Sequence, residues 1–201
     1  MKKLSKKLYL GLIIGAYAAG LACIITGVIM ILKAGSDNGR EFIVSDQALL
    51  VRGGLLFLLG MAFSIISTII GYVLLYKAWQ AIQDGKPRTT PGKAVGFLFI
   101  PFFNLYWMFI AYWGWAKDCN AYISSKGLSL SPLPEKLYLA FPIILLCSGI
   151  PYVTAATALG SYQPYVVAVP TLAAIAVFII ISTQMIDRVN GIYDARVITT
   201  A

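Results

Sequence analysis

The chain has 201 residues, of which 59% are hydrophobic and only 12% are charged, and its formal net charge is +8. Soluble domains carry roughly 25% charged residues, so this composition is typical of a membrane protein. The chain has no histidine, and all its acidic residues lie outside the long apolar runs. These absences exclude histidine-ligated haem and argue against pumps and coupled transporters, which need ionisable groups at depth.

Four apolar runs are long enough to span a bilayer, and they cover about residues 8–32, 53–76, 137–159 and 165–186. A further run, residues 94–116, is interrupted by Pro101 and Asn104. The connecting segments are too short to fold alone, so we expect one membrane domain over residues 1–201.

The first run combines two patterns. Basic residues precede it, as in a signal peptide, but its length predicts an uncleaved spanning helix. It also carries small residues at every fourth position, namely Gly11, Gly15, Ala19, Cys23 and Gly27. Small residues allow close helix approach in lipid, so this stripe predicts a packing surface for another helix of the chain or of a second subunit.

Charge decides the orientation of the runs. If all five span with the N-terminus inside, the sixteen lysines and arginines divide equally between the two sides. If residues 94–116 return to the cytoplasmic side, thirteen lie inside and three outside, which fits the positive-inside rule far better. We therefore predict an all-α integral membrane protein with four transmembrane helices plus a Pro/Asn-broken aromatic segment that is re-entrant or interfacial. Five spanning helices are the alternative, and both termini are expected in the cytoplasm.

The interrupted run is rich in aromatic residues, which make up ten of the nineteen positions from Phe97 to Trp115. Tyrosine and tryptophan prefer the level of the lipid headgroups. We predict that Pro101 and Asn104 break the helix, and that a second helix follows and ends near Lys117 and Asp118. The candidate interface aromatics are Tyr106, Trp107, Tyr112, Trp113 and Trp115.

The stretch RTTPGKAVGFLFIPFFNLYW, followed by AYWGWAKDCN, resembles a segment of a family of uncharacterised bacterial multi-pass membrane proteins. In that family the segment can be fused to small soluble modules such as zinc ribbons or GYF-like domains. The resemblance covers roughly residues 76–122 and brings no assigned activity. It implies a location in the bacterial inner membrane.

No motif in the chain carries recognisable chemistry. Residues 85–94 have glycines and a lysine, but their spacing does not match a phosphate-binding loop, and the basic residues of this region contact anionic headgroups or only set the topology. Cys23, Cys119 and Cys147 lie far apart, which predicts neither disulfides nor a metal site. We expect no catalytic residue, no cofactor and no metal.

These features lead to a non-enzymatic hypothesis. The first expectation is an accessory or scaffolding subunit of a larger bacterial membrane protein complex, with membrane lipids and other membrane subunits as partners and no nucleic acid. The alternatives are a small oligomeric channel or permease for a neutral solute, with Thr154, Thr157, Ser182, Thr183 and Gln184 along its path, and a lipid-interacting membrane protein.

Overall fold

The computed structural model describes residues 3–37, 42–44, 46–154 and 163–200, and most of them are helical. The helices are α1 (Lys6–Ala34), α2 (Gln47–Ala81), α3 (Pro91–Gly96), α4 (Phe103–Met108), α5 (Trp115–Ser125), α6 (Glu135–Thr154) and α7 (Gln163–Thr200). Two 3-10 turns cover Gln83–Gly85 and Phe97–Phe99, and a π-helical turn covers Phe109–Gly114. Two short strands, β1 (Gly35–Asp37) and β2 (Phe42–Val44), pair antiparallel between α1 and α2.

Three helical stretches among the described residues are long and apolar enough to cross a membrane: Lys6–Ala34, Gln47–Ala81 and Val169–Ile198. Each overlaps one of the four predicted spans, which confirms the coarse prediction of a helical membrane protein. The remaining predicted span, residues 137–159, overlaps α6, and the described part of that helix ends at Thr154.

The chain divides into two compact units, one of residues 7–71 and one of residues 1–6 with 72–201. In the first unit, α1 and α2 contact each other through glycines. A Cβ on Gly27 would lie 2.7 Å from the carbonyl oxygen of Gly53, and one on Gly60 would lie 2.7 Å from that of Gly20. Glycine therefore permits a backbone-to-backbone approach that any larger residue would block.

The buried residues of α1 recur at intervals of seven and are Ile13, Gly20, Gly27 and Ala34. Helix α2 follows the same interval, since Gly53, Gly60 and Ser67 are buried. The Ser67 hydroxyl donates to the Ile13 carbonyl at 3.3 Å, and just before α2 the Asp46 N–H donates to the Ala34 carbonyl at 3.1 Å. Seven residues are two helical turns, the period at which two helices stay in contact along their length.

In the second unit, α6 and α7 pack along each other, and α6 also contacts the helix formed by α4, the π-helical turn and α5. Aromatic rings fill this contact. The Tyr112 and Phe141 rings lie 4.8 Å apart, Phe141 stacks on Phe178 at 5.6 Å, and Trp115 lies 5.7 Å from Tyr138.

Helix α5 extends beyond its predicted end near Lys117 and Asp118 and stops at Ser125. Its buried residues Cys119, Tyr122 and Ile123 continue the three-to-four spacing of a helix that packs on one face. The charges at 117 and 118 mark the end of the apolar run, but a helix that packs on one face continues for as long as that one face stays apolar.

Helix α7 also continues past the predicted end of its span at residue 186, reaching Thr200. Its extension forms ion pairs with the N-terminal segment, Lys3 with Asp194 and Lys6 with Asp187, both at 2.8 Å. Residues 3–6 and residues 187–194 therefore lie together within this unit.

Further polar contacts tie the extension of α7 to other segments of the second unit. The Leu4 N–H donates to the Asn190 side-chain oxygen at 2.7 Å, and the Asn190 amide donates to the Leu4 carbonyl at 2.9 Å. Arg196 donates to the carbonyl of Ala81, the last residue of α2, and to the carboxylate of Asp84.

Candidate functional site: the aromatic hairpin and its basic pocket

Residues 91–116 reverse direction at a tight turn where the proline–asparagine break was predicted. Ile100 is extended (φ −85°, ψ 115°), as the residue before a proline prefers. Phe102 has φ 62° and ψ −41°, and the Phe103 N–H donates to the Pro101 carbonyl at 2.7 Å, which makes a γ-turn. Such a positive φ costs a residue other than glycine about 1–3 kcal/mol and persists only where the surroundings enforce it. Asn104 follows in the first turn of α4.

The two arms of this segment, α3 with the following 3-10 turn and α4 with the π-helical turn, pack against each other through aromatic rings. The Trp107 indole N–H donates to the Ala94 carbonyl at 3.1 Å. The Phe97 ring lies 4.7 Å from the Trp107 ring and 5.6 Å from the Phe103 ring, both edge to face. We call residues 91–116 the aromatic hairpin.

The base of the aromatic hairpin is closed by one ion pair. Arg88, just before α3, contacts the Asp118 carboxylate in α5 at 2.6 Å through Nη2, and its backbone N–H donates to the same carboxylate at 2.9 Å. The hydrogen bond to Asp118 raises the pKa of the Arg88 guanidinium above its ordinary value. Gly114 leaves room for the arginine, since a Cβ there would lie 3.2 Å from its Cδ. Both ends of the hairpin therefore lie side by side.

Contacts with α2 measure how far the hairpin extends. Near the base, the Trp79 indole donates to the Ala111 carbonyl at 3.0 Å. Near the tip, the Phe99 ring lies 5.3 Å from the Tyr72 ring. Tyr72 precedes Ala81, the last residue of α2, by nine residues, which is ~14 Å of helix. That length is about half of the ~30 Å hydrocarbon core of a bilayer.

The tip of the hairpin exposes large apolar side chains. Phe102 is 86% exposed and Phe99 66% exposed, and Ile100, Leu105 and Tyr106 are exposed as well. An exposed cluster of this kind marks a contact with lipid or with another protein.

The predicted interface aromatics separate into two groups. Tyr106 is exposed, Trp107 and Trp113 are half-buried, and Tyr112 and Trp115 are buried against α6. The structure thus places the last two in the interior of the second unit and leaves the first three partly or largely exposed. A headgroup-level position for any of them stays a prediction.

The small-residue stripe of α1 is also divided. Gly27 contacts α2, and Ala19 and Cys23 are half-buried. Gly11 and Gly15 are exposed, with no atom within 4 Å of a Cβ built on either. The contact with α2 instead includes Gly20, which the four-residue pattern does not contain.

A cavity of about 500 Å³ lies at the base of the aromatic hairpin. We call it the basic pocket; its lining residues are Gln83, Pro87, Arg88, Thr89, Thr90, Lys93, Phe97 and Trp107. The Gln83 amide donates to the Thr89 carbonyl at 3.2 Å and so attaches this loop to the end of α2. The Thr90 hydroxyl caps α3 by accepting from the Lys93 N–H at 3.4 Å.

Two lining residues differ from the others in their polar contacts. Thr89 is 8% exposed, and its hydroxyl oxygen has no hydrogen-bond partner among the described residues. Lys93 is exposed and forms no ion pair with any described residue. Sequence reasoning noted the basic residues of this loop but missed Thr89, because nothing in the sequence distinguishes a buried hydroxyl from an exposed one.

Among the residues that the structure describes, no group of three or more His, Cys, Asp or Glu side chains lies together to hold a metal ion. Cys119 is fully buried, and burial raises the pKa of its thiol to about 12, so it is not a reactive nucleophile at neutral pH.

Of the residues suggested to line a solute path, Ser182 is buried and the Thr183 hydroxyl donates to the Ile179 carbonyl of its own helix at 2.8 Å. The side chains of Thr154 and Thr157 lie outside the described part. The non-enzymatic and transport hypotheses stay predictions.

The chain matches no protein-family model, no curated protein and no solved structure.

Proposed function

We propose that this chain is a non-catalytic, multi-pass protein of the bacterial inner membrane that interacts with lipids of the cytoplasmic leaflet through its aromatic hairpin. One observation carries the proposal. An ion pair between Arg88 and Asp118, which flank the hairpin, joins its two ends, while its apolar tip reaches the level of Tyr72, about half a bilayer's hydrocarbon thickness from the end of α2. A half-depth aromatic segment contacts acyl chains and headgroups of one leaflet.

The proposed topology has four spanning helices (α1, α2, α6 and α7) and a re-entrant hairpin. The ion pair at the base supports it, because two residues in hydrogen-bond contact cannot lie on opposite sides of a bilayer. The contacts of Lys3 and Lys6 with Asp194 and Asp187 support a common side for the two chain ends. The excess of lysine and arginine on that side makes it the cytoplasmic one.

Single introduced cysteines test this topology in vesicles of both orientations. We expect Lys86→Cys and Ser124→Cys, which flank the hairpin at exposed positions, to react with a membrane-impermeant maleimide from the cytoplasmic side only. Lys33→Cys, at the other end of α1, is the matched control and reacts from the opposite side. Reaction of Lys86→Cys and Ser124→Cys from opposite sides would show a fully spanning segment and overturn the topology.

The depth of the tip tests the lipid contact itself. A spin label at Phe102→Cys is expected to collide with oxygen, which concentrates in the bilayer, and to be protected from a water-soluble nickel complex. A label at Lys86→Cys is the control and shows the reverse. Equal nickel access at both positions would refute the proposed function.

A second candidate, the accessory subunit, is favoured by one observation. Gly11 and Gly15 form an exposed small-residue face on α1, where a Cβ built on either would meet no described atom within 4 Å apart from the backbone of its own helix, and such a face permits close approach of a second helix. Gentle extraction, native mass measurement and identification of co-purifying proteins test it. A stoichiometric complex lost on Gly11→Leu and Gly15→Leu would support it, and a protein that is monodisperse and alone would remove it.

A further inference from the structure

We infer that the basic pocket is a binding site for the phosphate group of an anionic phospholipid, a site that rests on the proposed lipid contact and gives it headgroup selectivity. The cavity volume of about 500 Å³ lies within the roughly 300–1,000 Å³ typical of small-ligand sites.

Charge selects the ligand's sign. Arg88 and Lys93 line the pocket, and no acidic residue does. Asp118 contacts Arg88 from outside the lining and offsets its charge, so the uncompensated cation of the pocket is Lys93. An anion entering the pocket restores charge balance, as basic residues at a membrane surface do with acidic lipids.

A buried hydroxyl supplies a directional contact. The unpartnered Thr89 side chain lines the pocket and is nine-tenths buried. A buried polar group without a partner is costly, and a turn of this side chain toward the pocket would pair its hydroxyl, which is closed to solvent in the free structure, with a phosphate oxygen. Thr89 and Lys93 therefore provide two donors to one anion, a neutral hydroxyl that turns into the pocket and a charged, flexible ammonium.

The remaining wall selects a lipid over a free phosphate ion. Phe97 and Trp107 line the pocket, and their rings are in edge-to-face contact at 4.7 Å. The same Phe97 ring contacts Phe103 toward the exposed tip. A headgroup phosphate in the pocket thus has an apolar surface beside it along which the glycerol and acyl parts can lie, whereas inorganic phosphate gains nothing from these rings.

Native mass spectrometry of the full-length protein, released from nanodiscs of phosphatidylglycerol or of phosphatidylcholine, tests the inference. We expect the wild type to retain phosphatidylglycerol in preference to phosphatidylcholine. Lys93→Gln is expected to lower the retained phosphatidylglycerol roughly fivefold, and Thr89→Val, which keeps the shape of the side chain, about tenfold. Lys86→Gln is the matched control, since it removes a charge from the same loop outside the pocket lining.

Three results would overturn the inference: equal retention of the two lipids, an equal loss with Lys86→Gln, or unchanged retention in both pocket variants. Displacement of the lipid by inorganic phosphate at equal concentration would overturn it in favour of a soluble anion. The spin-label depth at position 102 is read separately, because an inserted tip without headgroup selection leaves the proposed function standing and removes only this site.

Discussion

Helices α1 and α2 contact each other through glycines, whereas the two arms of the aromatic hairpin contact each other through rings. In the first case, Gly27 and Gly53 let backbones touch, and van der Waals contact over a long, regular register stabilises the pair. In the second, Trp107 and Phe97 fill a short, irregular hairpin, with a hydrogen bond and an ion pair at the base. Regular packing tolerates no added atom, while irregular packing depends on a few specific groups.

The glycine contact is expected to be the most sensitive to substitution. In Gly27→Val the Cβ alone would lie 2.7 Å from the Gly53 carbonyl oxygen and 2.8 Å from the Phe57 nitrogen, so the helices must separate. We expect a loss of about 2–3 kcal/mol in the free energy of unfolding, measured by detergent-denaturant titration with circular dichroism. Gly11→Val, at an open position, is the matched control, and equal losses in the two variants would contradict the contact.

A single glycine is also critical outside the glycine-packed pair. A Cβ on Gly85 would overlap the Tyr122 ring, whose hydroxyl donates to Asp84 at 3.1 Å. We expect Gly85→Ala to cost about 1–2 kcal/mol by displacing that ring, and Gly92→Ala, with open space at its Cβ, to cost nothing measurable. If Gly85→Ala lowers the free energy of unfolding as much in a Tyr122→Ala background as in the wild type, the overlap with the ring is not the cause of the loss.

The ion pair at the base of the hairpin is expected to contribute less. Because the Arg88 side chain is 39% exposed and that of Asp118 15%, solvent screening limits the effect of Asp118→Asn to about 1 kcal/mol. The more exposed pair of Lys3 and Asp194 supplies the control Asp194→Asn, with a smaller expected effect. Thermal unfolding at low and high salt distinguishes them, and an effect of Asp118→Asn that does not shrink with salt would contradict an electrostatic origin.

We also expect the contribution of Arg88 to stability to be independent of pH between about pH 6 and 9. Its folded pKa is raised from 12.5, first by the hydrogen bond to Asp118, so its contribution to stability is complete below that value and is lost only as pH rises through the folded pKa. Stability differences between the wild type and Asp118→Asn should therefore be constant between about pH 6 and 9.

The smallest expected effect concerns the native thiol of Cys119. Burial raises its pKa from 9.0 to about 12, so the folded protein keeps the thiol protonated, and this contribution is full below pH 9.0 and is lost as pH rises toward 12. We expect no alkylation of Cys119 at neutral pH by a charged maleimide, and rapid alkylation after unfolding. Modification of the folded protein would show that α5 opens.

The apolar runs predict the long helices well but not their ends. Arg52 and Lys77 lie inside α2 although they bound its apolar run, and Asp187 lies inside α7. A charge ends the stretch that lipid can cover, whereas a helix ends only where its backbone hydrogen bonds stop. The apolar runs therefore predict which part of each helix lipid can cover, whereas the bounds of the helix depend on its backbone hydrogen bonds.

The hairpin shows where the sequence stops being informative. Pro101 places the break within two residues, because a proline acts on its own backbone and its neighbour. The positive φ of Phe102 and the π-helical turn at Phe109–Gly114 have no such local signal. The basic pocket forms from residues in the loop and in both arms, which only the reversal of the chain brings together.

The seven-residue spacing of the buried residues of α1 explains why the predicted four-residue stripe does not match the contact with α2. Steps of four residues advance 400° around a helix, so the stripe from Gly11 to Gly27 rotates steadily away from any single neighbour. Steps of seven nearly close on two full turns, and Gly20 and Gly27 stay on one side. Small residues at intervals of four indicate that a helix can pack closely against another helix. The residues at intervals of seven, Gly20 and Gly27, are the ones that contact α2.

The extension of α7 beyond its apolar part holds residues 3–6 in place through ion pairs and hydrogen bonds. Asp187, Asn190 and Asp194 on this extension bind the first residues of the chain, and Arg196 binds the end of α2. A deletion of residues 187–201 would thus also remove the ion-pair partners of Lys3 and Lys6. Residues 3–6 and residues 187–194 thus form one small polar cluster, and removal of either segment deprives the other of its partners.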